Sequence, residues 1–123
     1  MALRVLVVDD NDGFLAAAQA LLERGGVAVV GVAKTGAEAL QVARRLGPDV
    51  SLIDIDLGGE SGFDVARRLV QTGLPSRVIM ISTHDEGDFT ELIADSPAVG
   101  FLQKSRLSAS AIESLLERTR SAD

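Results

Sequence analysis

The chain has 123 residues, the size of one domain and too short for two well-packed cores. Its hydrophobic fraction is 46% with only 4 Phe as aromatics, so Val, Leu, Ile and Ala must build the core, which favours helices packed on a Val/Ile-rich sheet. The absence of cysteine excludes disulfides, thiolate metal sites and thiol catalysis, and a formal net charge of −6 argues against a domain that grips a phosphate backbone unaided.

Val5-Leu6-Val7-Val8 is a continuous apolar run, the pattern of a strand buried on both faces, and it stops at Asp9-Asp10-Asn11-Asp12. Phe14, Leu15, Ala18, Leu21 and Leu22 then recur with helical spacing, with Asn11 or Asp12 as cap and Gly25-Gly26 as terminator. The alternation repeats. Val27 to Ala33 is the second strand, and Thr35 caps a helix that turns Ala39, Leu40 and Ala43 inward before Gly47-Pro48 breaks it. Val50 to Ile53 is the third strand, ending at Asp54. After a Gly-rich loop, Ser61 opens a helix through Ala66, Leu69 and Val70. Gly73 and Pro75 precede the fourth strand, Arg77 to Ile81. Around Phe89, Leu92 and Ile93 the helical pattern is short and weak. Gly100 to Gln103 is the fifth strand, and Ala111, Ile112, Leu115 and Leu116 mark the last helix.

Five strands alternating with five helices through short connections predict a doubly wound α/β domain over residues 1–123, its parallel sheet covered by helices on both faces. Met1-Ala2-Leu3-Arg4 runs straight into a strand, so no signal peptide is expected. No apolar run is long enough for a bilayer, and a cysteine-free chain fits the cytoplasm.

In such a sheet, ligands bind beyond the carboxyl ends of the strands, where strand order reverses. Asp9 and Asp10 lie at that end of the first strand and Asp54 at that end of the third. With order 2-1-3-4-5, these strands are neighbours and three carboxylates share one pocket. That arrangement demands a positive charge. A hard cation such as Mg²⁺, with Mn²⁺ as a substitute, takes carboxylates, a carbonyl and waters, and it lets a carboxylate attack phosphorus by cancelling anion repulsion. Ser82 after the fourth strand and Lys104 after the fifth lie at the same sheet end, where a hydroxyl and an ammonium suit the oxygens of a transferred phosphoryl group. Singly, these residues have plainer readings: Asp9 and Asp10 as helix-capping acids, Lys104 as a solvated side chain, Ser82 as a turn residue and Phe101 as core.

Together, Val7-Val8-Asp9-Asp10, Leu52-Ile53-Asp54, Val78-Ile79-Met80-Ile81-Ser82 and Gly100-Phe101-Leu102-Gln103-Lys104 resemble the response-regulator receiver domains of two-component signalling, the CheY-like superfamily with a flavodoxin-like fold. The resemblance covers nearly the whole chain. It implies that Asp54 is the phosphoacceptor, Asp10 a direct Mg²⁺ ligand, Asp9 a ligand mainly through water, and the Asp56 carbonyl the remaining protein ligand. It implies that Lys104 pairs with the phosphoryl group, and that Ser82 swings toward it with Phe101 following. That pair would couple the site to the surface of the fourth helix, fifth strand and fifth helix. Asp56 and His84, two residues beyond Asp54 and Ser82, would tune dephosphorylation. The implied partners are a histidine kinase or phosphotransfer protein and a downstream protein or output domain, with homodimerisation on phosphorylation a further expectation. No direct nucleic-acid or membrane contact is expected of the domain.

The chain also departs from the family pattern. Ser82 stands where Thr is common and Phe101 where Tyr is common. Gly58 replaces a frequent Pro, which should loosen its loop, and Ser105 replaces the Pro that often follows the lysine. A cis bond at Ser105 would cost about 2.5–4 kcal/mol, which leaves either trans geometry or strain. Gly58, Gly59 and Gly62 match no nucleotide fingerprint and are read as turn residues. His84 is the only histidine, so no His-based triad or His₂ metal site can form. The expected activity is that of a regulator which phosphorylates itself and slowly hydrolyses the product. Two rivals stand beside it: an interaction module that is never phosphorylated, and a haloacid-dehalogenase-type phosphatase using Asp54 and Asp56.

Overall fold

The computed structural model describes residues 2–121; of the expected domain, residues 1, 122 and 123 lie outside the described part. Strands β1 (Arg4–Val8), β2 (Ala28–Ala33), β3 (Val50–Asp54), β4 (Arg77–Ser82) and β5 (Gly100–Gln103) alternate with helices α1 (Asp12–Arg24), α2 (Gly36–Leu46), α3 (Gly62–Gln71), α4 (Thr90–Ala94) and α5 (Ala109–Ser121). All pairings are parallel and the order is β2-β1-β3-β4-β5, as expected of a flavodoxin-like sheet.

Alternate residues of the central strands feed two separate cores. Val5, Val7, Leu52, Ile79 and Ile81 pack with Leu15 and Leu22 of α1 and Ile112 and Leu115 of α5. Leu6, Val8, Ile53, Val78 and Met80 pack on the other face with Ala39 and Ala43 of α2 and Phe63, Ala66 and Leu69 of α3. Each fully buried Val, Leu or Ile contributes roughly 1.5–3 kcal/mol, so the central strands hold most of the stabilisation. A strand that is apolar on both faces lacks the alternation that usually fixes register. Here the charged ends fix it. Val8 pairs with Ile53, so Asp9 and Asp54 each follow the last paired residue. A slip inward would carry a carboxylate into hydrocarbon.

Side chains close the helix starts: Asn11 accepts from the Phe14 N–H at 2.9 Å, Thr35 from Glu38 at 3.2 Å, and Ser61 from Phe63 at 3.2 Å. Gly47 ends α2 in the left-handed region with φ 55°. Three local expectations need correcting. Leu21 and Val70 are surface residues at 38% and 43% exposure, because the neighbouring Leu22 and Leu69 carry the inward stripe. The segment around Phe89 splits into a 3₁₀ turn, Glu86–Phe89, and the five-residue α4, with no fully buried residue in either. Phe89 and Ile93 alone give it an apolar side, and Leu92 is exposed. Edge strand β2 begins at Ala28, and its register slips between Val5 and Leu6, which pair with Val29 and Gly31.

Candidate functional site

Asp9, Asp10 and Asp54 come together at the carboxyl end of β1 and β3, where one oxygen from each lies within 4.8 Å of the others. Asp9 is fully buried and Asp54 nearly so, whereas Asp10 is exposed. Lys104, placed by the end of β5, reaches back over the strand ends. Its Nζ lies 3.0 Å from Asp54 Oδ2 and 2.5 Å from Asp9 Oδ2. The contact with Asp9 is an ion pair whose angles do not make a hydrogen bond, so Asp9 Oδ2 is buried without a hydrogen-bond partner. The other oxygens are better served: Asn11 N donates to Asp9 Oδ1 and Asp56 N to Asp54 Oδ1.

Three carboxylates around one ammonium leave two negative charges uncancelled. Burial pushes the Asp54 carboxyl above its ordinary range and the Asp9 charge adds to this, while hydrogen bonds from Lys104 and Asp56 oppose the rise without cancelling it. Burial alone would lower Lys104, but its contacts with Asp9 and Asp54 outweigh that and hold the ammonium above the usual lysine range. The residues fit a hard divalent cation. Every candidate donor is oxygen, one ammonium cannot balance three carboxylates, and Asp10 faces solvent where a cation keeping several waters needs room.

The other expected residues divide into two groups. Ser82 is buried at the end of β4, its Oγ accepting from His84 N at 3.1 Å. Phe101 is also buried, its ring tilted against that of Phe89 at 6.5 Å between centroids. Asp56 and His84 flank the site from exposed loops. The Asp56 carboxylate turns to its own loop and accepts from Gly58 N at 3.0 Å, and the His84 ring stands edge-on to Phe89 at 6.1 Å. The peptide bonds of the described residues are all trans, including Lys104–Ser105, so the lysine is aimed without the geometry a proline would supply.

The glycines need a stronger reading than turn residues. Gly58 has φ 67°, which favours glycine, and a Cβ there would stand 2.6 Å from Asp10 Oδ2 and displace that carboxylate. Gly62 opens α3 with its Cα against the Asp54 backbone, where a Cβ would lie 1.9 Å from the carbonyl oxygen. Glu60 went unnoticed in sequence. It accepts from Gly36 N at 3.0 Å, tying the loop after Asp54 to the start of α2. Phe14 belongs to the apolar stripe of α1 and packs on the core, and its ring centroid also lies 4.4 Å from Lys104 Nζ. A helix side chain leans toward its own N-terminus, and from the first turn of α1 that direction leads to the strand ends.

The sequence matches the response regulator receiver domain family over residues 5–117. The transcriptional regulatory protein NarL of Mycobacterium tuberculosis is 36% identical over 121 residues, covering 98% of this chain and 56% of that protein. The response regulator GacA of Pseudomonas viridiflava is 34% identical over 103 residues, covering 83% and 48%. The chain thus spans about half the length of the curated relatives it matches. The solved signal receiver domain of M. tuberculosis NarL superposes with a TM-score of 0.82 at 34% identity, covering 97% of each chain. Fold, strand order, clustered acids and sequence agree: this chain belongs to the response-regulator receiver domains of two-component systems.

Proposed function

We propose that the domain is a phosphorylation switch in which Asp54 accepts a phosphoryl group from a phosphohistidine on a histidine kinase or phosphotransfer protein. The observation that carries this reading is the convergence of Asp9, Asp10 and Asp54 within 4.8 Å with the Lys104 ammonium against two of them. In the transfer, an Asp54 oxygen forms a bond to phosphorus while the P–N bond to the donor imidazole breaks, and the departing nitrogen keeps the electron pair and takes a proton.

Asp10 and Asp54 would hold Mg²⁺ with the Asp56 carbonyl, and Asp9 would act through a bound water; bound there, the cation supplies the positive charge that lets two anions meet. The chain's own residues do the rest. Hydrogen bonding from Asp56 N orients Asp54. The Lys104 ammonium leaves Asp54 Oδ2 for an oxygen of the incoming group. Ser82 gives up the His84 N–H and turns its hydroxyl to the phosphoryl oxygens, and Phe101 adjusts beside it. That movement would change the face formed by α4, β5 and α5, which an output domain or a second copy of the chain reads. Asp56 and His84, at the mouth of the site, would set how fast water reaches the acyl phosphate. No helix of the described residues is long and apolar enough to cross a membrane.

The test is acetyl phosphate with Mg²⁺, followed by peptide mapping for a hydroxylamine-sensitive acyl phosphate. The modification is expected on Asp54 and lost completely in Asp54→Asn. Beryllofluoride with Mg²⁺ should shift the amide signals of Ser82, Thr83 and Lys104. Absence of both the adduct and the shifts would sink the phosphoacceptor reading and leave an interaction module.

A further inference from the structure

We infer that Phe14 is a positioning residue for the phosphoryl transfer, its ring holding the Lys104 ammonium at the mouth of the carboxylate cluster. The inference rests on the reading of Asp54 as phosphoacceptor. Lys104 has to be aimed by its surroundings, because its own backbone aims it poorly. It follows the short edge strand β5 and opens a 3₁₀ turn, Lys104–Arg106, joined to Ser105 by a trans peptide. Its four-carbon stem is flexible. Two carboxylates attract its head, and once Asp54 has reacted that pull passes to the phosphoryl oxygens, so the ammonium has to shift while staying at the opening.

The Phe14 ring supplies a third side. Its centroid is 4.4 Å from Nζ, well inside the range of about 6 Å over which an aromatic face attracts a cation. The Lys104 side chain is 13% exposed, so the contact is largely shielded from water. Phe14 is itself held in place. Its N–H donates to the Asn11 cap at 2.9 Å, and the half-buried ring packs on the edge of the core between α1 and α5. The contact also suits a moving partner. A hydrogen bond fixes one direction, whereas an aromatic face tolerates lateral shifts of the ammonium. Lys104 can therefore trade its contact with Asp54 for one with a phosphoryl oxygen without losing the ring.

The experiment compares the unaltered 123-residue chain with Phe14→Leu, which keeps apolar bulk and removes the aromatic face, and Phe14→Tyr, which restores the face. In the unaltered protein the Lys104 ε-methylene protons should be displaced upfield by the ring; the displacement should vanish in Phe14→Leu and return in Phe14→Tyr. At saturating Mg²⁺, phosphorylation of Asp54 by acetyl phosphate should slow about fivefold in Phe14→Leu, recover in Phe14→Tyr, and leave Mg²⁺ affinity unchanged. An ordinary Lys104 shift in the unaltered protein overturns the inference, as does an unaltered rate in Phe14→Leu or a failure of Phe14→Tyr to recover it. If the ring shift is present but the unaltered protein takes up no phosphoryl group, the Asp54 reading falls and takes the transfer role of Phe14 with it, the aromatic contact itself remaining.

Discussion

The two ends of the sheet both gather charge, and they handle it in opposite ways. At the amino ends of the strands, Arg4 N donates to Asp49 Oδ2 at 2.9 Å, and the Arg4 guanidinium donates to the Leu46 and Gly47 carbonyls that end α2. Every one of these groups finds a partner within the fold, and Asp49 also bridges β1 and β4 through its backbone. At the carboxyl ends, three acids meet one ammonium, and a buried oxygen of Asp9 lacks a hydrogen bond. One end is finished by folding. The other keeps negative charge that the fold does not balance, which in a buried site marks a candidate for ligand binding.

The contrast can be broken most forcefully at Lys104. Lys104→Met removes the only cation among the described residues that contacts Asp9 and Asp54, and leaves a fully buried carboxylate without that counter-charge. Breaking such a pair should cost about 3 kcal/mol of metal-free stability, measured by urea unfolding. A loss below about 1 kcal/mol would mean that solvent already screens the cluster and that the two sheet ends are electrostatically alike.

A smaller effect separates the metal-free and metal-bound proteins. Burial, first of all, lifts the Asp54 carboxyl above its ordinary 3.8 in the folded state. Just above that value the folded protein therefore holds a proton that the unfolded chain has lost, and its stability falls as pH rises through the folded value. Lys104 has the same sign in a different window. Its raised value gives stability that is complete below 10.5 and lost only as pH climbs past that. Metal-free stability should accordingly decline with rising pH through the acid range. Mg²⁺ at a hundredfold excess over its dissociation constant should add about 2.7 kcal/mol at neutral pH and flatten the decline. Thermal unfolding across pH, with and without Mg²⁺, measures both; an unchanged slope would detach the cation from Asp54.

How much of this was legible in sequence follows the same division. β1, β3 and β5 were visible because runs such as Val5-Leu6-Val7-Val8 end abruptly in charge, and the charge that ends them is also the site. Asp9, Asp10, Asp54 and Lys104 could be placed together from strand order alone, since parallel strands put all their ends on one edge. Contacts that depend on how helices lean over the sheet were hidden. Phe14 had the spacing of a core residue, and nothing in a helical period says that one side chain of the stripe overhangs the strand ends. Gly62 was hidden for a related reason: its need to lack a side chain comes from the Asp54 carbonyl, eight residues away in sequence and pressed against it by the turn Leu57–Glu60. The stretch from Asp85 to Asp95 was weakly patterned because its acids outnumber its apolar residues, and the fold accordingly gives it one 3₁₀ turn and barely more than one turn of α-helix.

The smallest expected effect sharpens the comparison from the finished end. Asp49→Ala removes the acceptor for Arg4 N, but Asp49 is exposed and water can take its place, while the Arg4 guanidinium keeps both carbonyls. The backbone bonds from Asp49 N to Arg4 O and from Arg77 N to Asp49 O survive the substitution. The loss should stay under about 1 kcal/mol. Phosphorylation of Asp54 and the response to Mg²⁺ should be unchanged, because the strand between the two ends is about 16 Å of rigid, fully paired backbone. Urea unfolding and the acetyl phosphate reaction, run side by side on this variant and on Lys104→Met, read the two ends independently. If Asp49→Ala slowed phosphorylation as well, the ends would be coupled through β1 and β3, and the separation of a finished edge from a receptive one would not hold.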